Sequence, residues 1–199
     1  MTLRRLLAPL HGERPTPTQI YLIHVPAAGI AAGVAAGVAG WLPGGAGTGG
    51  PDVPGAAGTG LQIAAAFLLF WHLAAGFIAH MTRSVNDYYR DRPRGRVAVP
   101  AFHLTHIILV AIFFDAGNLY LFFSAVFPVA GALVLNTMYA DDNQKPGAAV
   151  LVLVGLGVYA FILPPPPLIP WFGPLLLLKL LLAYSPDHYP PNDTRRWWA

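Results

Sequence analysis

Six apolar segments, separated by polar or glycine- and proline-rich loops, dominate the pattern of hydrophobic and polar positions along the chain. A helix that crosses the hydrocarbon core needs about 20 residues, and the first four segments come close to this length, whereas the last two are shorter. The pattern therefore predicts an all-α integral membrane protein, a bundle of about six transmembrane helices. The predicted spans are 20–42, 61–82, 97–114, 119–139, 147–163 and 168–184.

The composition supports a membrane protein and narrows its chemistry. Hydrophobic residues make up 55% of the 199 residues and charged residues 11%, and the mean hydropathy is +0.53, which is unusual for a soluble domain. Cysteine is absent, so a cofactor would be held by His, Asp or the backbone. The basic residues form short clusters between the apolar segments, which indicates membrane topology and no nucleic-acid partner.

These basic clusters also predict the orientation of the bundle. Matrix or cytoplasmic loops of membrane proteins collect Lys and Arg. If both termini lie on that side, every basic residue lies there except Lys179, which we expect to snorkel to the surface from the inner end of span six. The other basic residues are Arg4, Arg5, Arg14, Arg83, Arg90, Arg92, Arg94, Arg96, Lys145, Arg195 and Arg196.

Span two carries a stripe of unusual residues along one face. His72, Gly76 and His80 follow one another at intervals of four residues, so a helix places them one above the other. A histidine inside a membrane is a candidate functional residue, because it is costly there unless it is paired or bound. A neutral imidazole suits a haem iron. The alternative is that His72 bonds a neighbouring carbonyl and Gly76 is a packing position.

Two motifs in the first part of the chain occur in the order known from one family. The first, RPTPTQIYLIHVP, contributes Arg14, Pro15, Pro17, Ile20, Tyr21 and Pro26, and the second contributes His72, Gly76, His80 and Asp87. Over roughly residues 14 to 117 the chain resembles the large cytochrome b membrane anchor of succinate dehydrogenase, respiratory complex II. Helix one departs from this family, because AAGIAAGVAAGV stands where the family has a serine and a His-Arg pair.

The resemblance implies a non-catalytic membrane anchor of a succinate:quinone oxidoreductase, in the mitochondrial inner membrane or a bacterial plasma membrane. This anchor holds haem b and helps to form the site where ubiquinone receives electrons from succinate. His72 would be the ligand of the haem iron, Gly76 would give the porphyrin room, and His80 would contact a propionate. The small anchor subunit supplies the second axial ligand in this family, and His106 is an internal alternative. The implied partners are the iron–sulfur, flavoprotein and small anchor subunits.

The inner loop between spans two and three offers further candidates. Arg83, Asp87 and Tyr88 are candidates for contact with the quinone, since this loop would face the iron–sulfur subunit. The alternative is a salt-bridged cap on helix two, in which Asp87 and Asp91 pair with the surrounding arginines. The family ends after three spans. We therefore expect a three-helix anchor over residues 1–117, followed by a three-helix region over 118–199 that is an extension or resembles the small anchor subunit.

Two other functional classes have some support in the sequence. NDYYRD and YADDNQKPG resemble the two aspartate motifs of UbiA-type prenyltransferases, which hold Mg²⁺ and a diphosphate between carboxylates. YYRDRPRGR before the third span resembles cytochrome oxidase subunit III, a structural subunit of a respiratory assembly. Bound haem would separate the succinate dehydrogenase anchor from both alternatives, and Mg²⁺-dependent prenyl transfer would identify the prenyltransferase.

Overall fold

The structure is a computed structural model that describes residues 8–41, 56–139 and 141–189. Every long regular element within these ranges is a helix. Part of the topology prediction lies outside the described residues. This part consists of Arg4, Arg5, Arg195, Arg196 and most of the glycine-rich loop between the first two spans.

Five helical segments of the described chain are long and apolar enough to cross a membrane. Their bounds agree with the first five predicted spans to within a few residues, so the all-helical fold is confirmed for the described ranges. The sixth apolar segment, Phe172–Tyr184, is shorter than the others. In chain order the helices are α1 (Pro17–Trp41), α2 (Ala56–His80), α3 (Arg83–Arg90), α4 (Pro93–Phe102), α5 (Leu104–Phe113), α6 (Asn118–Thr137), α7 (Gln144–Phe161), α8 (Phe172–Leu177) and a π-helix (Leu178–Tyr184).

Helix α1 packs along α2 through small side chains. Ala27, Ala31 and Ala35 are buried at intervals of four residues, which lets the two helix backbones approach closely. Ile23, one turn before Ala27 in α1, packs in one apolar cluster with Ala75 and Ala79 of α2. This pairing forms one wall of the candidate site described below.

The chain breaks between α2 and α3 at Thr82. Its hydroxyl donates to the carbonyl of Ala79 at 2.7 Å and accepts from the amide of Val85 at 3.4 Å, so the same side chain ends one helix and caps the next. The polar stretch after span two is therefore a separate helix. Helix α3 buries Val85, Asn86 and Tyr89 on one face.

A second break divides the third span. Pro100 lies in the last turn of α4, where proline has no N–H to donate, and α5 begins two residues beyond the end of α4. His103 lies at this break, and its N–H donates to the carbonyl of Pro100 at 3.1 Å. The imidazole of His103 at this break is buried.

One apolar core connects the helices before and after residue 117. Leu73 of α2 and Val110 of α5 belong to the same buried cluster as Leu135 of α6 and Leu180 of the π-helix. Both regions of the predicted division therefore contribute to a shared core. Large apolar side chains also cover the outside of the bundle, as expected where helices face lipid, and they include Ile30, Leu68, Ile112, Phe122 and Leu153.

Candidate functional site

A cavity of about 460 Å³ lies between α1, α2, α4 and the π-helix. Its volume lies within the range of about 300 to 1,000 Å³ typical of small-molecule sites. The predicted residues His72, Gly76 and His80 all line it. Most of the wall is apolar, and the polar groups belong to His24, Trp71, His72, His80, Tyr89, His103 and Lys179.

Three imidazoles form a stacked group at one side of this cavity. The ring centroids of His72 and His106 are 4.8 Å apart, and those of His103 and His106 are 5.0 Å apart. His72 and His103 are also in contact, with centroids 5.7 Å apart. His72 and His106 therefore stack on each other in this structure, and His106 is not among the residues that line the cavity.

Four of the lining residues each keep a buried ring nitrogen that has no hydrogen-bond partner among the described residues. They are Nδ1 of His24, Nε1 of Trp71, Nε2 of His72 and Nε2 of His103. A buried polar group without a partner is costly, so four of them around one cavity indicate a site for a polar group.

The tautomer of His103 determines whether its unpaired ring nitrogen is a hydrogen-bond donor or an acceptor. Its Nδ1 lies 2.7 Å from the carbonyl of Val99, and because a carbonyl only accepts, Nδ1 carries the proton. In the neutral ring, Nε2 is then an acceptor, whereas Nε1 of Trp71 is a donor. The residues that line the cavity therefore include both a donor and an acceptor without partners in the described chain.

Lys179 reaches into the cavity and contacts α2 at Gly76. Its side chain is buried, with 2% of the residue exposed, and Nζ donates to the carbonyl of His72 at 3.2 Å. A Cβ atom at residue 76 would meet Cε and Nζ of Lys179, so glycine permits this contact. The expectation that Lys179 snorkels to the surface is wrong, because its side chain points into the bundle toward α2.

The π-helix that carries Lys179 is itself uncommon. It runs over Leu178–Tyr184, and the amide of Ser185 continues its i to i+5 pattern by donating to the carbonyl of Leu180 at 3.2 Å. Such segments are rare and occur frequently at functional sites. The sequence pattern does not predict the π-helix. A lysine inside an apolar segment is nevertheless a signal in the sequence that marks Lys179 as a candidate functional residue.

His80 lies in the wall of the cavity between two tyrosines. Its ring centroid is 4.8 Å from that of Tyr184 and 5.7 Å from that of Tyr89. The hydroxyl of Tyr89 donates to the carbonyl of Pro9 at 3.1 Å, and burial raises the pKa of Tyr89 to about 12. This phenol is therefore a neutral hydrogen-bonding group at physiological pH.

The remaining predicted residues, Arg83, Asp87 and Tyr88, line a separate cleft of about 620 Å³ at the protein surface. Asp87 pairs with Arg90 at 2.7 Å and with Arg83 at 4.0 Å. The guanidinium of Arg92 lies 4.0 Å from the ring centroid of Tyr88. The pairs of Asp87 agree with part of the salt-bridged cap, but they lie on the separate helix α3, and no salt bridge among the described residues includes Asp91. The cleft does not include the histidines of α2.

A buried polar network next to α3 was not predicted. The carboxylate of Asp187 accepts hydrogen bonds from Asn86 at 2.6 Å, Tyr139 at 2.9 Å and Arg90 at 3.3 Å. Burial alone would raise the pKa of Asp187, but the hydrogen bonds from Arg90, Asn86 and Tyr139 lower it to about 2. Its amide also donates to Oε1 of Gln144 at 2.9 Å. The network ties α3 to α7 and to the residues after the π-helix.

The described ranges contain no group of three or more His, Cys, Asp or Glu side chains that could hold a metal ion. The paired aspartates of the prenyltransferase alternative, in NDYYRD and YADDN, form no such group there. No family model, no curated protein and no solved structure matches this chain. The cavity and its lining residues are therefore the strongest guide to function.

Proposed function

We propose that the chain is a quinone-binding membrane anchor of a succinate dehydrogenase, in the mitochondrial inner membrane or a bacterial plasma membrane. As a non-catalytic subunit, it would hold the head group of ubiquinone in the cavity between α1, α2, α4 and the π-helix. The observation that carries the proposal is the combination of apolar walls with Lys179 and with the unpaired ring nitrogens of Trp71, His72 and His103.

The chemistry of ubiquinone suits these groups in both of its redox states. The quinone has two carbonyl oxygens, which accept hydrogen bonds, and Lys179 and Trp71 have N–H groups to donate. Reduction by two electrons and two protons turns each carbonyl into a hydroxyl, which can donate to Nε2 of His103. The apolar walls, which include Ile23 and Phe102, suit the ring and the isoprenoid tail.

Haem b is the second cofactor that the resemblance implies, and the described residues fit it only in part. His72 lines the cavity with Nε2 unpaired, as an axial ligand requires. Lys179, however, covers Gly76, and His103 and His106 stack beside His72. If haem b is bound, His72 would hold its iron, and a further ligand would come from the small anchor subunit, as the resemblance implies.

We also infer the orientation of the bundle from its charges. The segment from the start of α3 to the first turn of α4 carries the five arginines from Arg83 to Arg96, and this segment would lie in the matrix or cytoplasm. It would meet the iron–sulfur subunit, and the flavoprotein subunit beyond it. Phe172–Tyr184 would then be the sixth span, with both termini on the same side.

Purification through a tag on this chain tests the proposed function. We expect mild detergent to recover a complex that contains flavin and iron–sulfur clusters and reduces decylubiquinone with succinate. A reduced-minus-oxidised optical spectrum of the same sample would report on haem b. A chain that purifies without these partners and binds no decylubiquinone would overturn the proposal.

Two tryptophans provide a matched comparison for the quinone site. Trp71 and Trp171 both have a buried indole N–H without a partner in the described chain, but only Trp71 lines the cavity. Trp171 packs on Phe70, with ring centroids 5.0 Å apart. We expect Trp71→Phe to raise the KM for decylubiquinone several-fold and Trp171→Phe to leave it unchanged. Equal effects of the two substitutions would argue against quinone in this cavity.

A further inference from the structure

Lys179 is a buried lysine without an acidic partner in the part of the chain that the structure describes. Its hydrogen bond goes to the backbone carbonyl of His72, and none of the salt bridges among these residues includes it. Asp187 is the nearest acid in sequence, but Arg90, Asn86 and Tyr139 bind its carboxylate. Burial of an ammonium group is costly unless an opposite charge accompanies it.

The groups that share the cavity with Lys179 favour an anionic ligand. The imidazoles of His72, His80 and His103 and the indole of Trp71 bring no negative charge. An ammonium group has three N–H donors, and the hydrogen bond to His72 uses one of them. Nε1 of Trp71 adds another donor without a partner in the described chain. A carboxylate accepts several hydrogen bonds at once and would also balance the charge.

The rest of the cavity suits an apolar chain that enters from the bilayer. Ile23, Ala75 and Ala79 form much of its wall. Leu10 and Phe102 also line it and are 49% and 57% exposed, and Phe102 lies in a helix that is apolar enough to cross a membrane. An apolar tail can therefore lie past Phe102 into the lipid while its head group stays inside.

We propose that this cavity binds a long-chain carboxylate, such as a fatty acid anion, with its head group on Lys179 and its tail leaving past Phe102. The binding itself rests on the cavity alone and goes beyond the proposed function. A regulatory consequence rests on the proposed function: the carboxylate competes with ubiquinone, because both need Lys179 and Trp71.

Brominated lipids give a direct test, since bromine quenches nearby tryptophan fluorescence. The full chain is placed in phosphatidylcholine nanodiscs and titrated with 9,10-dibromostearic acid or with its methyl ester at neutral pH. Quenching in wild type reports bromine near its tryptophans, and a variant that keeps Trp71 and has phenylalanine at the other four tryptophans isolates the signal of Trp71. We expect the acid to bind at least tenfold more tightly than the ester, because only the acid pairs with Lys179.

Two lysine substitutions define the role of the charge. Lys179→Met keeps the length of the side chain without its charge, and we expect it to abolish the preference for the acid. Lys145→Met, at an exposed lysine in the first turn of α7, should retain the preference. Equal binding of acid and ester by the wild-type protein would by itself overturn the inference. An unchanged preference for the acid in a folded Lys179→Met protein would also overturn it.

Further arms of the same experiment separate the remaining possibilities. If phosphatidylserine displaces the acid at equal mole fraction, the site recognises a phospholipid head group and the inference for a single-chain carboxylate is wrong. Loss of decylubiquinone binding with the acid preference intact would refute the proposed function and leave this inference standing. Quinone binding without any preference for the acid would refute this inference alone.

Discussion

The side chain of Lys179 occupies the place that a side chain at Gly76 would need. A Cβ atom at residue 76 would meet both Cε and Nζ of the lysine. The glycine in the middle of the histidine stripe therefore permits a buried lysine to reach the backbone of α2, where Nζ donates to the carbonyl of His72. The two residues are coupled, although more than 100 positions separate them in the sequence.

Gly76→Ala should destabilise the protein because the new methyl group overlaps the lysine side chain. Overpacking of a well-packed interior costs about 1 to 3 kcal/mol, and we expect a loss in that range. Thermal unfolding or unfolding by denaturing detergent in mixed micelles would measure it. Gly33→Ala is the matched control, since a Cβ at residue 33 meets no atom within 4 Å.

The double variant Gly76→Ala with Lys179→Ala tests the coupling itself. Removal of the lysine side chain gives the methyl group space, so the combined loss should be smaller than the sum of the two single losses. A coupling of at least about 0.5 kcal/mol is expected for residues in contact. Additive effects would show that contact with Lys179 does not determine which side chains residue 76 tolerates.

The sequence predicts the long helices well because their signal is local. Apolar length alone identifies α1, α2, α6 and α7, and the bounds agree to within a few residues. The break after His80 also has a local signal, because Thr82 precedes a polar segment as a typical N-cap does. The motif that joins His72 and Asp87 in the sequence extends across this break, and the structure places the two residues in different cavities.

The parts of the site that the sequence does not predict depend on contacts between residues that are far apart in the sequence. Asp187 contacts Asn86, which lies 101 positions earlier, and no local pattern marks such a contact. The position of Lys179 depends on the π-helix that carries it and on Gly76. A buried lysine and a snorkelling lysine look the same in an apolar sequence, so the snorkelling expectation failed for a physical reason that only packing reveals.

Asp187→Ala should destabilise the protein by removing the shared acceptor of the polar network. Asn86, Arg90 and Tyr139 would each lose a hydrogen bond to the carboxylate. A buried donor left without its partner costs about 1 to 3 kcal/mol, and we expect a total loss of at least that size. Unfolding by denaturing detergent would measure the change.

Asp115→Ala is the control for this substitution. Asp115 is exposed in the connection between α5 and α6, so its removal should change the free energy of unfolding by less than about 0.5 kcal/mol. Similar losses for Asp115→Ala and Asp187→Ala would mean that the network contributes no more than an exposed surface charge.

The lowered pKa of Asp187 predicts how the free energy of unfolding depends on pH in the acidic range. Hydrogen bonds lower the pKa of Asp187 to about 2 from its ordinary value of 3.8. A lowered pKa in the folded state stabilises the fold at pH values above the unfolded pKa, and this contribution is lost as the pH falls through the folded pKa. The difference in unfolding free energy between wild type and Asp187→Asn should therefore shrink as the pH falls from 3.8 toward about 2. A constant difference across this interval would contradict the assignment.

Cysteine labelling tests the proposed orientation without background, because the chain has no cysteine of its own. Arg94 lies at the start of the third span and Gly117 follows its end, and both are exposed. The span between them is apolar enough to cross the membrane, so the two positions should lie on opposite sides. In sealed vesicles of known orientation, a membrane-impermeant maleimide should label Arg94→Cys from the matrix or cytoplasmic face and Gly117→Cys from the other face. Labelling of both positions from one face would mean that residues 93–113 do not cross the membrane, and labelling with the faces exchanged would invert the proposed topology.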